Sequence, residues 1–130
     1  MARESKRIAR LIAVQNQLKA FHEMQRAALL REARAAERDA EEIGARKNDG
    51  GSLAHVFPEL YERGIARSLA ARDRSEVAAA AEAGKIAAQS ARANMLTRAY
   101  RAASGAEERE AEEKAALESV ERGLGRKGGG

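Results

Sequence analysis

The chain has 130 residues, with 24 basic and 20 acidic side chains, a net charge of +4, and no cysteine. Hydrophobic residues make up 44% of it but aromatic residues only 3%, and alanine dominates the apolar count, so large side chains are too few to fill a globular interior. Length bounds it at one domain, and the missing cysteines exclude disulfides and thiolate metal sites and are compatible with a reducing compartment.

Ala, Glu, Arg, Lys and Leu in helical periodicity point to long helices, while the scarcity of Val, Ile and Thr argues against strands. One proline, Pro58, follows the loop Asn48-Asp49-Gly50-Gly51-Ser52 and separates two long Ala/Arg/Glu stretches. Proline and paired glycines stop helices. The predicted fold is therefore all-α: an antiparallel two-helix coiled-coil hairpin with unequal helices, over residues 1–123.

The first helix is expected over about 3–47. Its apolar face runs through Val14, Leu18, Phe21, Gln25, Leu29, Glu32, Ala36, Ala40 and Ile43 in steps of three and four, with Ile8 and Leu11 extending it. Steps of eleven fit as well as a heptad, which favours nearly straight helices over a tight supercoil. The connection is expected over 48–57. Leu53, Val56, Phe57, Leu60, Tyr61 and Ile65 read as an apolar knot at the turn, packing on Ile43. Pro58 suits the first turn of the second helix, with Glu59 near the positive end of its dipole.

The second helix is expected over about 58–122, with Ile65, Leu69, Val77, Ala80, Gly84, Ala87, Ala88, Ala91, Met95 and Ala99 facing inward. At ~25 cal/mol per Å2, an alanine seam stabilises weakly. A turn centred near residue 53 places residue i opposite residue 106 minus i. Ser104-Gly105 reads as a weak point in the helix, 106–122 as an overhang with the apolar edge Leu117, Val120 and Leu124, and 124–130 as a disordered Gly-rich tail. The basic start of the chain (Arg3, Lys6, Arg7, Arg10, Lys19) lies near Glu107, Glu108, Glu110, Glu112 and Glu113 in this register, a weak bias in its favour.

Chemistry is sparse. His22 and His55 are far apart, with no converging ligands, and read as a helix-surface and a loop histidine, so no metal and no cofactor are expected. A two-helix rod has no concave, dry site, and the acidic run reads as a solvated helix with pairs such as Glu110 with Lys114, so no enzyme is expected. Gly50-Gly51 lacks the Lys-Ser/Thr of a phosphate loop. The basic residues lack interleaved aromatics, so no nucleic acid is expected. No apolar run approaches a membrane span and no signal-peptide h-region follows the basic start, so a cytoplasmic protein is expected, peripheral to a membrane at most through protein partners. The Leu117, Val120 and Leu124 edge reads either as a self-association surface or as a face for a groove on another protein.

Three pieces carry a resemblance. They are the opening Ser5-Lys6-Arg7-Ile8-Ala9-Arg10-Leu11-Ile12-Ala13-Val14-Gln15-Asn16-Gln17-Leu18, the loop with a longer second helix, and the stretch from Asn94-Met95-Leu96-Thr97-Arg98-Ala99-Tyr100-Arg101 through Glu107 to Lys114. Together they resemble the FliJ/YscO family of type III export stalk proteins in its divergent alphaproteobacterial form. That resemblance implies a coiled coil that inserts into and stimulates a hexameric export ATPase, contacts the export gate and handles chaperones. The ATPase end would be Arg3, Lys6, Arg7, Ile8, Arg10 and Leu11 with Met95, Leu96, Arg98, Tyr100 and Arg101. The tip or overhang contacts would be Phe57, Leu60 and Tyr61 with Leu117 and Val120. The alternatives are a structural coiled coil that self-associates as a homodimeric four-helix bundle and, more weakly, a basic nucleic-acid-associated protein.

Overall fold

The computed structural model describes residues 2–50 and 53–128. Helix α1 spans Ala2–Lys47 (46 residues), a single 3-10 turn spans Leu53–His55, and α2 spans Pro58–Gly128 (71 residues). Among the described residues there is no strand. The fold is all-α, and the two unequal helices pack against each other as an antiparallel hairpin. Four side-chain pairs show the opposed directions: Ser5 with Glu107, His22 with Glu82, Glu37 with Arg72, and Lys47 with Glu62. Packing divides the chain into two compact units, one made of Met1–Gln17 with Gln89–Gly130 and the other of Leu18–Ala88.

The helix break falls where proline and glycine predict it. Asn48 N–H still donates to Gly44 O at 3.2 Å, and Asp49 N–H reaches Arg46 O at 3.2 Å, a shorter step that closes α1. Val56 and Phe57 N–H both donate to Leu53 O, at 3.0 and 2.9 Å. Pro58 opens α2, and Leu60 N–H donates to Phe57 O at 3.2 Å. The missing proline N–H thus lies where the helix has no partner to offer it. Gly51 and Ser52 of the predicted loop lie outside the described residues.

A row of covered positions in steps of three and four runs along both helices, with half-buried neighbours such as Ala28, Leu30, Leu69, Ala71 and Ala78 beside it. On α1 its positions are Ser5, Ile8, Ile12, Gln15, Lys19 and His22, then, after exposed Arg26, Leu29, Ala33, Ala36, Ala40, Ile43 and Lys47. On α2 they are Tyr61, Ile65, Ser68, Arg72, Ser75, Ala79, Glu82, Ile86, Gln89, Ala93 and Leu96, then, after exposed Tyr100, Ala103 and Glu107. This is the 3.5-residue seam of a coiled coil, not the looser pattern predicted from the apolar residues alone.

Several expectations are corrected by that seam. Leu29, Ala36, Ala40 and Ile43 face inward as predicted, but Val14, Leu18 and Phe21 remain 48%, 39% and 53% exposed. Each precedes a seam residue by one position, which is about 100° around a helix of 3.6 residues per turn. On α2, Ile65 and Leu69 are covered, while Val77, Ala80, Gly84, Ala87, Ala88, Ala91, Met95 and Ala99 are exposed. The reason is that polar pairing, not apolar size, selects the buried face where the neighbours are all alanine. The apolar knot also fails to close. Ile43 packs instead on Gly64, where a Cβ would stand 3.2 Å from the Ile43 side chain, and Leu53, Val56, Phe57 and Leu60 are 62%, 54%, 49% and 59% exposed.

Register departs from the predicted rule by two residues one way at His22 and three the other way at Glu37 and Lys47. His22 meets Glu82 rather than Gly84, Glu37 meets Arg72 rather than Leu69, and Lys47 meets Glu62 rather than Glu59. Ser5 meets Glu107 rather than Arg101, a larger slip set by the hydrogen bonds that Glu107 accepts. Ser104-Gly105 does not interrupt α2, which runs on to Gly128 with no glycine at positive φ. Residues 124–128 of the predicted tail are therefore helical, since the sequence offers no proline or left-handed glycine to end the helix; Gly129 and Gly130 lie outside the described residues. The overhang begins after Glu107, and every side chain over 108–125 is exposed.

Two outcomes follow. Gly84 is exposed in a helix interior with nothing within 4 Å of an added Cβ, so Gly84→Ala should stabilise by about 1 kcal/mol in urea unfolding, while Gly64→Ala gains less because of Ile43. In hydrogen exchange, amides over 108–125 should lose protection before those over 58–88, because no second helix covers them.

Candidate partner-binding surfaces

In the unit that contains both chain ends, α1 begins against α2 through one carboxylate. Glu107 Oε1 accepts from Ser5 N–H at 3.1 Å and Oε2 from the Ser5 hydroxyl at 2.6 Å. Ser5 lies in the first turns of α1, and a negative charge there meets the positive end of the helix dipole. The Ser5 hydroxyl holds the Glu107 carboxyl below its ordinary value, against the opposing effect of burial. Further in, Ile8 is 7% exposed, while Gln15 and Gln89 hold side-chain oxygens that are buried without a hydrogen-bond partner.

The same unit carries a shallow groove lined by Leu11, Gln15, Arg92, Met95 and Leu96. Leu11 and Met95 are 43% and 67% exposed, and Leu96 is half-buried. Of the other residues predicted at this end, Arg3, Lys6, Arg7, Arg10, Arg98 and Arg101 are exposed, as is the Tyr100 ring at 38%. Arg7 touches Glu4 at 3.0 Å, an exposed pair of little energetic weight. Sequence reasoning missed Gln15, Arg92 and the Ser5–Glu107 contact. The available signal was the alternation of polar residues at threes and fours, which an apolar-only reading discards.

Residues 2–17 and 89–106 together hold seven basic side chains and one acidic, a net of +6, whereas 107–125 holds seven acidic and three basic, a net of −4. Along the exposed helix, Glu113, Ala116, Leu117 and Val120 line a second shallow groove. Leu117, Val120 and Leu124 are 64%, 58% and 64% exposed.

In the unit Leu18–Ala88, the seam is pinned by His22 Nδ1 and Glu82 Oε2 at 2.6 Å, with both side chains largely covered. The Phe21 ring stands edge-on to the imidazole at 5.4 Å and 71°. Lys85 Nζ adds a contact to Glu82 Oε1 at 3.3 Å. Burial raises the Glu82 carboxyl, but the hydrogen bonds from His22 and Lys85 outweigh it and the net shift is downward. Arg72 donates to Asp73 at 3.0 Å and to Glu37 at 3.3 Å, and the Asp73 bond leads in raising its pKa. At the turn, Val56, Phe57, Pro58, Glu59, Leu60 and Arg63 line an open groove. Phe57 and Leu60 of the predicted tip contacts are therefore on the surface, while Tyr61 is half-buried at the seam.

Among the described residues no group of three or more His, Cys, Asp and Glu side chains is placed to hold a metal ion, and no helix is long and apolar enough to cross a membrane. No protein-family model, no curated protein and no solved structure matches the chain.

The Glu82 shift has a pH consequence. A carboxyl whose folded pKa lies below its ordinary 4.5 contributes stability above that value and loses it as pH falls through the folded value. Thermal midpoint should therefore drop on acidification from about pH 5.5 to about 3, and Glu82→Gln should flatten part of that drop.

Proposed function

We propose that this chain is a non-catalytic helical adaptor, and that its basic end docks into the hexameric ATPase of a flagellar or type III export apparatus and stimulates it. The observation that carries the reading is the end formed by 2–17 with 89–106: a net charge of +6 around an exposed apolar groove at Leu11 and Met95. A surface of that kind attracts acidic loops at long range and then holds an apolar side chain at short range. The choice of an export ATPase rests on the resemblance of the opening and closing stretches to the export stalk family. In this reading the exposed turn, with Phe57 and Leu60, is the export gate contact, and chaperones are further partners.

The test is an ATPase assay with the export ATPase from the same genome. Adding the purified chain should raise the rate and promote ring assembly, and the quadruple variant Arg3→Glu, Lys6→Glu, Arg7→Glu, Arg10→Glu should remove the effect. An unchanged rate with the unaltered chain defeats the proposal.

A further inference from the structure

We infer that the exposed C-terminal stretch of α2 is itself a ligand for the basic end of a second copy of this chain, giving a reciprocal dimer. The inference does not depend on what other partner the basic end takes. Its basis is a match between two surfaces of the same unit. On α1, Arg7, Leu11 and Val14 follow at steps of four and three, so they share one flank of the helix. On α2, Glu113, Leu117 and Val120 follow at the same steps and also share one flank. Both apolar pairs are exposed: Leu11 at 43% and Val14 at 48%, Leu117 at 64% and Val120 at 58%. The charged residue that precedes each pair by one turn is opposite in sign.

Laid side by side in the same direction, the two stretches set Leu117 beside Leu11, Val120 beside Val14 and Glu113 beside Arg7, with the like-charged Arg109 and Arg3 one turn earlier at the exposed end of the overlap. Length agrees as well. The 16 residues of 2–17 and the 18 residues of 108–125 extend about 24 and 27 Å at 1.5 Å per residue. Net charges of +6 and −4 on the two partners attract, while two acidic overhangs repel each other. Because α2 is one unbroken helix to Gly128, the overhang cannot turn back onto its own α1 in this conformation. A second chain can offer its overhang in exchange, which makes the contact isologous and closes it at two copies. With two large apolar side chains per overlap, the dimer should dissociate within an accessible range of dilution.

Sedimentation velocity on the full chain tests this from about 1 to about 100 μM, near the affinities such modest interfaces reach. A dimer that dissociates on dilution and weakens with added salt is expected. Leu117→Glu with Val120→Glu should raise Kd at least about tenfold. These side chains touch no second helix within the chain, so the fold should persist, and helical circular dichroism checks that. Arg7→Glu alone and Glu113→Arg alone should each weaken the dimer, and the two together in one chain should restore it. A monomer at every concentration overturns the inference. So does a dimer that survives the Leu117 and Val120 substitutions, or one that the paired charge reversal leaves as weak as either single change.

Discussion

The hydrogen bond between His22 and Glu82 supplies what the small residues over 77–99 lack, a preferred alignment. A run of near-uniform small side chains can slide against a second helix by a turn with little change in buried area. A largely covered imidazole and carboxylate at 2.6 Å do not slide: parting them leaves the imidazole unpaired and the carboxylate with Lys85 alone. Ser5 with Glu107 fixes alignment in the other unit in the same manner, with the added pull of a helix dipole on a carboxylate. A polar group at a coiled-coil seam position specifies register at a cost in stability, and this chain uses several of them.

That choice of seam decides what the surface looks like. Once Gln15, Lys19 and His22 turn inward, their neighbours Val14, Leu18 and Phe21 must turn outward, whatever their hydrophobicity. The helix cannot bury both sets, since they lie about 100° apart. Buried Gln15 and Gln89 oxygens without partners, next to exposed Leu11 and Met95, invert the usual order of inside and outside. A fold optimised for its own stability would exchange them. Large apolar side chains left on a helix flank beside arginines are suited to contact with another protein.

How much of this was legible in the sequence differs by feature. Pro58 and the Asn48-Asp49-Gly50 turn were readable because their effect is local: one lacks an N–H and the other relaxes the backbone. Leu29, Ala36, Ala40 and Ile43 were readable because apolar periodicity and the true seam coincide there. They diverge from Ser5 to His22, where the seam is carried by Ser, Gln, Lys and His, residues that an apolar count scores as solvent-facing. Over 77–99 the near-uniform small residues give no face any advantage, so the positions of Glu82 and Gln89 became clear only through contacts made by α1. The basic cluster and its exposed Leu11 and Met95 were legible as composition, while Arg92 joined them only once α1 and α2 were aligned.

The end of the seam at Glu107 ties these points together. On one side of it the chain is basic, two helices thick and grooved; on the other it is acidic, one helix thick and apolar along one edge. The α1 flank of Arg7, Leu11 and Val14, beside that groove, suits a helix that brings a carboxylate and then, a turn later, a leucine. The chain carries such a helix at its own exposed end, in Glu113 and Leu117. A foreign helix that docks on this flank by the same chemistry competes with it. Occupancy of the groove is then set by concentration and ionic strength, because the recognition is partly a contact of exposed charges and salt screens those. A surface that its own chain can cover need not stay exposed until its partner arrives, and this reconciles a solvent-facing apolar stripe with a chain whose seam buries so little.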